Sequence, residues 1–190
     1  MLLRILQASI EELKENGVKF TMDSLAKRLG ISKRTLYETV SSKEDVIGLV
    51  IEHVFADVKE KQQAILEDSS LSTAEKLREL FNVVPAYVDV LDYRRISDIK
   101  KSYPKMHESI LVHIESDWEP TIRLLEQGMQ EGVIRSCNLV VLKMLLCEIF
   151  EQLLNGTILI QNEISYEHAL KEMIGIILEG ILTREKEEAK

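Results

Sequence analysis

Leu2, Leu6, Ile10 and Leu13 recur at spacings of four, four and three, which predicts the buried stripe of a first helix. Asn16-Gly17 is its stop signal, because glycine readily takes the left-handed conformation that closes many helices. Thr21 is placed to cap a second helix, with Asp23 in its first turn where the macrodipole favours a carboxylate. Leu25, Ala26 and Leu29 are its inward positions, and Gly30 ends it at positive φ. Ser32 caps a third, very short helix that runs through about Val40, anchored by Ile31, Leu36 and Val40. Ser41-x-x-Glu44 forms a capping box for a fourth helix, with Ser42-x-x-Asp45 as a variant of it. That helix runs to about Leu66 and joins the head to the rest of the chain without a flexible linker.

Beyond a turn at 69–73, Leu77, Leu80, Phe81, Val84, Val88 and Leu91 predict another helical face, with Pro85 inside it. Pro104 suits the first turn of a further helix. Met106, Ile110, Ile114, Trp118, Ile122, Leu125 and Met129 make one long stripe along it, interrupted by Pro120 and ended by Gly132. A mid-helix proline loses a hydrogen bond and kinks the helix, at roughly 3 kcal/mol. Two such breaks in adjacent helices either open a cavity or simply curve the helices. Residues 138–154 and 167–182 are apolar around most of their circumference. Such helices must be covered on both sides, and a second copy of the chain is the most economical second cover. Both segments are therefore expected to form a homodimer interface, with Gly175 and Gly180 permitting close backbone approach.

Composition sharpens this picture. The chain has 190 residues, 45% of them hydrophobic, with few aromatics and only three prolines, which favours an all-α protein with a real core. Its net charge of −8 argues at first against nucleic acid. The distribution reverses that. Residues 19–43 hold six basic and two acidic residues, whereas residues 47–190 hold sixteen basic and twenty-five acidic ones. A basic head on an acidic body confines the attraction for phosphates to the head. The expected division is a helix-turn-helix DNA-binding domain at 1–46 and a helical ligand-binding and dimerisation domain at 47–190. Cys137 and Cys147 make no disulfide framework, which fits a reducing compartment. No run reaches the roughly 18 apolar residues of a membrane span, and the opening MLLRILQ reads as helix rather than signal peptide. The expected location is the cytoplasm, with no membrane partner.

A helix-turn-helix needs a bracing helix, a short turn, and a second helix that enters the major groove by its N-terminal end. Here the second helix offers Ser32, Lys33, Arg34, Thr35 and Tyr37, with Leu36 holding it down. Lys33 and Arg34 can donate to guanine, and the Thr35 methyl can touch thymine. Tyr37, Thr21 and Lys43 have polar atoms for phosphates, which fix register without reading sequence. The free N–H groups of the helix starting near Lys43 add an anion site. Glu38 would repel phosphate if it pointed at DNA; facing away, or accepting from a cytosine amino group, resolves that.

The run Leu25-Ala26, Leu29-Gly30-Ile31-Ser32, Thr35-Leu36-Tyr37 and Ser42-Lys43-Glu44, on an apolar first helix ending at Gly17, resembles the head of the TetR family of bacterial transcriptional regulators. The resemblance covers residues 3–50; the remainder matches in layout. It implies an all-helical homodimer that binds a palindromic operator, usually as a repressor, and a small molecule in the body that spreads the two heads. It also implies Thr21 and Tyr37 on phosphate, Lys33, Arg34 and Thr35 on bases, and Lys43 clamping the backbone. Val40 departs from the family, standing where many members carry an aromatic residue.

For the body, Phe81, Tyr87, Met106 and Trp118 near the expected kinks, together with Cys147, are the candidate lining of a pocket for a largely apolar effector. The same residues also suit ordinary core. His107 and His113, six apart, fall on different helix faces and make a poor metal pair, and His53 with Asp57 suits a surface hydrogen bond. No phosphate-cradling glycine loop, no G-x-S-x-G and no clustered Cys/His occurs in the sequence, so neither an enzyme, a metal site nor a cofactor is expected. Two other readings share these features: a dimeric helical adaptor that binds a protein partner, and a co-repressor-dependent regulator or activator.

Overall fold

The computed structural model describes residues 1–84, 93–116, 118–155 and 157–183. Its first helix, α1, is Leu2–Asn16, closed by Gly17 at φ 55° and continued by a single 3-10 turn, Gly17–Lys19. The helix has the expected period, but its buried face is turned. Ile5, Ala8, Ser9, Ile10, Glu12 and Leu13 are buried, Leu6 is half-buried and Leu2 is exposed. A hydropathy pattern counts Ser9 and Glu12 as solvent-facing. Here Ser9 Oγ donates to the Ile5 carbonyl at 2.6 Å, and Glu12 accepts from three side chains, so both polar groups are satisfied inside.

Helix α2, Met22–Leu29, begins with a capping box in which Thr21 accepts from Ser24 N and the Ser24 hydroxyl accepts from Thr21 N. Gly30 closes it at φ 67°, ψ 30°, a left-handed cap. Helix α3 is Lys33–Tyr37, three residues shorter than expected, capped by Ser32 Oγ on Thr35 N at 3.0 Å. Helix α4, Lys43–Glu67, has Ser42 as its cap, accepting from Asp45 N. The Ser41–Glu44 box is thus replaced by the Ser42 variant. The Asp45 carboxylate reaches back to Ser41, accepting from both its N–H and its hydroxyl.

The body comprises α5 (Thr73–Phe81), α6 (Tyr93–Ser102), α7 (Pro104–Glu115), α8 (Glu119–Gln130), α9 (Leu139–Asn155), α10 (Thr157–Gln161) and α11 (Tyr166–Ile181). Two expectations about proline change. Helix α5 ends at Phe81, so Pro85 does not interrupt it; Pro85 itself, with Val88 and Leu91, lies outside the described residues. The long helix expected at 104–129 is two helices, and Pro120 sits in the first turn of α8. A first-turn proline lacks only an N–H that has no helical partner anyway, so it starts α8 instead of kinking a longer helix.

Buried side chains form two clusters. One fills the head and continues along α4 as far as Ile96 and Ile99 of α6 and Ile110 of α7. The other joins α5, α8, α9 and α11. α6 also packs against the 3-10 turn of the head. The head therefore rests on α4, α6 and α7, and these contacts set its position over the body. No described helix is long and apolar enough to cross a membrane.

Candidate nucleic-acid interface and cavity

The head is latched before it presents anything. Arg28 of α2 donates from Nε to Glu12 at 2.8 Å and pairs through Nη1 and Nη2 with Glu15. Ser24 and Asn16 also donate to Glu12, each at 3.0 Å. Burial alone would raise the Glu12 carboxyl, but the hydrogen bonds from Arg28, Ser24 and Asn16 outweigh it and hold it below the ordinary value. This network sets the angle between α1 and α2, and Gly30 then turns the chain into α3. Leu36, fully buried, pins α3 to α2.

With Leu36 inward, Ser32, Lys33, Arg34 and Tyr37 are exposed and Thr35 is half-exposed on the outer surface. Thr21 is exposed at the start of α2. The cations there are not idle. Lys33 Nζ lies 3.0 Å from Asp23, whose carboxylate raises the ammonium above its usual range. Arg34 Nε lies 3.4 Å from Glu38, so Glu38 is turned to its own helix neighbour. Lys43, half-buried at the start of α4, donates to the Val18 carbonyl at 2.6 Å. Its ammonium also sits 4.5 Å from the Phe20 ring centroid and 5.8 Å from that of Tyr103, between α6 and α7. Lys43 thus ties α4 to the head's 3-10 turn and reaches the body. The N-terminus of α4, expected as an anion site, has the Asp45 carboxylate beside it. Hydrogen bonds from Ser41 hold that carboxyl below its usual range, so it competes with a phosphate there.

Below the head, a cavity of about 360 Å³ opens against α4. Phe55, Lys59 and Gln62 of α4 form one wall, and Phe81, Trp118, Phe150 and Tyr166 form much of the rest. At its α4–α7 edge, His113 bonds Glu52 at 3.0 Å and stacks on Phe55, with ring centroids 4.4 Å apart and planes at 13°. Of the residues expected to line a pocket, Phe81 and Trp118 do so. Tyr87 lies outside the described residues. Met106 is not in the lining: it packs on the upper cluster, its sulfur against Gly48. Cys147 is not in the lining either; its thiol, directed at the Ile114 carbonyl 3.9 Å away, is pushed up by burial. Glu52, Gln62, His113 and Tyr166 escaped the sequence reading because contacts such as Glu52–His113 join residues 61 positions apart, which no periodicity encodes. Among the described residues, no group of three His, Cys, Asp or Glu side chains could hold a metal ion.

The outer faces of α9 and α11 carry large apolar side chains open to solvent. Val140 is 70% exposed, Met144 67% and Ile176 71%. Among the described residues, a Cβ added at Gly175 or Gly180 would meet nothing within 4 Å beyond its own helix backbone.

Residues 5–49 match the family model described as bacterial regulatory proteins, tetR family. The chain is 26% identical over 186 residues, 98% of each protein, to the HTH-type transcriptional regulator YvaF of Bacillus subtilis. A TetR/AcrR-family transcriptional regulator from Thermobifida fusca superposes with a TM-score of 0.72 at 18% identity, covering 94% of this chain and 97% of that one. The TetR-family regulator PfmR of Thermus thermophilus gives 0.66 at 20% identity, covering 95% and 100%. At such identities the structural likeness speaks for the fold alone.

Proposed function

We propose that this chain, whose head matches the tetR family of bacterial regulatory proteins, is a regulator of transcription that acts as a homodimeric repressor released from its operator by a small molecule. Residues 1–46 are the DNA-reading part and 47–190 the sensing and dimerising part. Lys33, Arg34 and Thr35 meet base edges; Thr21, Ser32, Tyr37 and Lys43 hold the phosphate backbone. The observation that carries the reading is the course of α4. It starts at Lys43 inside the head and supplies the cavity wall from Glu52 to Gln62. A ligand that displaces this wall displaces the helix against which α1, and with it the head, is packed.

The two α3 helices of a dimer must sit one or two helical turns apart to enter successive major grooves. The open apolar faces of α9 and α11 supply the joint, and the unobstructed Gly175 and Gly180 let a partner helix come close. Release is then a shift between heads-matched and heads-apart states. Moving that balance from 1:99 to 99:1 takes about 5.5 kcal/mol of differential ligand binding. Selection from random duplex DNA with the purified chain tests the reading. Enrichment of a palindrome with half-sites one or two turns apart is expected. Enrichment of no sequence, with only weak salt-sensitive binding, would overturn it.

A further inference from the structure

The cavity's wall chemistry goes further than the presence of a site. Its aromatic side chains, Phe55, Phe81, Trp118, Phe150 and Tyr166, offer ring faces, with Trp118 and Phe150 at a centroid distance of 6.4 Å and an interplanar angle of 53°. Its charged side chains are one acid, Glu52, and one base, Lys59, and neither is without a partner. Both are exposed, so an ionic ligand seated among the rings would leave water for a largely apolar space. The Trp118 indole N–H already donates to the Ile114 carbonyl at 2.7 Å. Three polar side chains in the lining differ. Tyr166, first residue of α11, Gln62 of α4 and Thr121 of α8 have no side-chain hydrogen-bond partner among the described residues. Burial pushes the Tyr166 phenol up to about 12, so at neutral pH it is a neutral O–H donor.

We propose that the cavity takes a neutral, planar aromatic molecule carrying a hydrogen-bond acceptor such as a carbonyl, which receives the Tyr166 O–H while the ring system packs among Phe81, Trp118 and Phe150. The inference rests on the effector reading above and specifies its ligand. A ligand so held bridges α11 to the wall of α4.

The test uses 6-propionyl-2-(dimethylamino)naphthalene, a neutral naphthyl ketone whose emission reports hydrogen bonding at its carbonyl, titrated into the full chain. A naphthalene sulfonate and a naphthylmethyl trimethylammonium serve as anionic and cationic counterparts of the same ring. Saturable binding of the ketone at one site per chain, tighter than either ion, is expected. Tyr166→Phe, checked for unchanged helix content by circular dichroism, should weaken the ketone about five- to tenfold, the loss of one hydrogen bond. It should also shift the bound emission to shorter wavelength. Tighter binding of either ion, no binding of the ketone, or a Tyr166→Phe affinity within twofold of wild type overturns the proposal. Release of DNA is scored separately. Tight ketone binding without release would leave the ligand class standing and remove the effector reading.

Discussion

An ammonium has three N–H groups, and Lys43 uses one of them on the Val18 carbonyl while resting against Phe20. Half-buried at the edge of the head, it keeps donors for a phosphate without leaving that contact. Lys33 and Arg34 differ: each is paired to an exposed carboxylate, Asp23 or Glu38, which a base edge would have to replace on the proposed reading. The three residues should therefore fail differently. Lys33→Ala or Thr35→Ala should alter preference at particular base pairs, by about 1–3 kcal/mol of discrimination. Lys43→Ala should weaken all duplexes alike and lower the salt slope of binding by about one. Titrations of several duplexes at several salt concentrations separate the cases. Equal losses on every sequence for all three variants would remove Lys33 and Thr35 as base readers. At this scale the sequence displayed what is local: Thr21, Ser32 and Leu36 could be placed because caps and inward anchors depend on neighbours a few residues away. The Tyr166 hydroxyl and the Glu52–His113 pair could not, since tertiary packing alone brings them to the cavity.

Helix α1 shows where pattern reading stops among elements. Its length and its end at Gly17 come from the apolar period and a glycine stop, but which side is buried is decided by α2. Arg28 makes the inside of the head habitable for Glu12, a carboxylate only 2% exposed. Proline misled in a related way. Pro104 and Pro120 have the same chemistry, and both begin helices. Only the unbroken apolar spacing across Trp118 made one of them resemble a kink. The α1–α2 latch has a measurable signature. Glu12 titrates lower in the folded chain than in the unfolded one, so the folded state binds fewer protons. Its stabilisation is complete above the ordinary carboxyl value of 4.5 and is lost as pH falls through the depressed folded value. Glu12→Gln should lower stability at pH 7 by roughly 2 kcal/mol, since Arg28 keeps Glu15 as a partner. The gap from wild type should narrow steadily below pH 4.5 in urea melts. A gap that is constant with pH would contradict the latch.

For the whole molecule, the two hydrophobic clusters meet along α4 and its neighbours rather than at a linker. The apolar circumference of residues 138–154 and 167–182 was legible in the sequence, and the fold explains half of it: one side of each helix is buried in the lower cluster, the other is left open. On the dimer account a second chain covers Val140, Met144 and Ile176. Ile176→Glu leaves the monomer's own packing alone, because Ile176 points outward, yet buries an unpaired carboxylate in the joint. It should weaken dimerisation by roughly a hundredfold. Sedimentation velocity with the selected duplex tests this account most directly. Two wild-type chains should bind one palindrome, whereas Ile176→Glu should sediment as a monomer and bind the same duplex weakly, one chain per half-site. One wild-type chain per palindrome, or a two-to-one complex of unchanged affinity with Ile176→Glu, would contradict it.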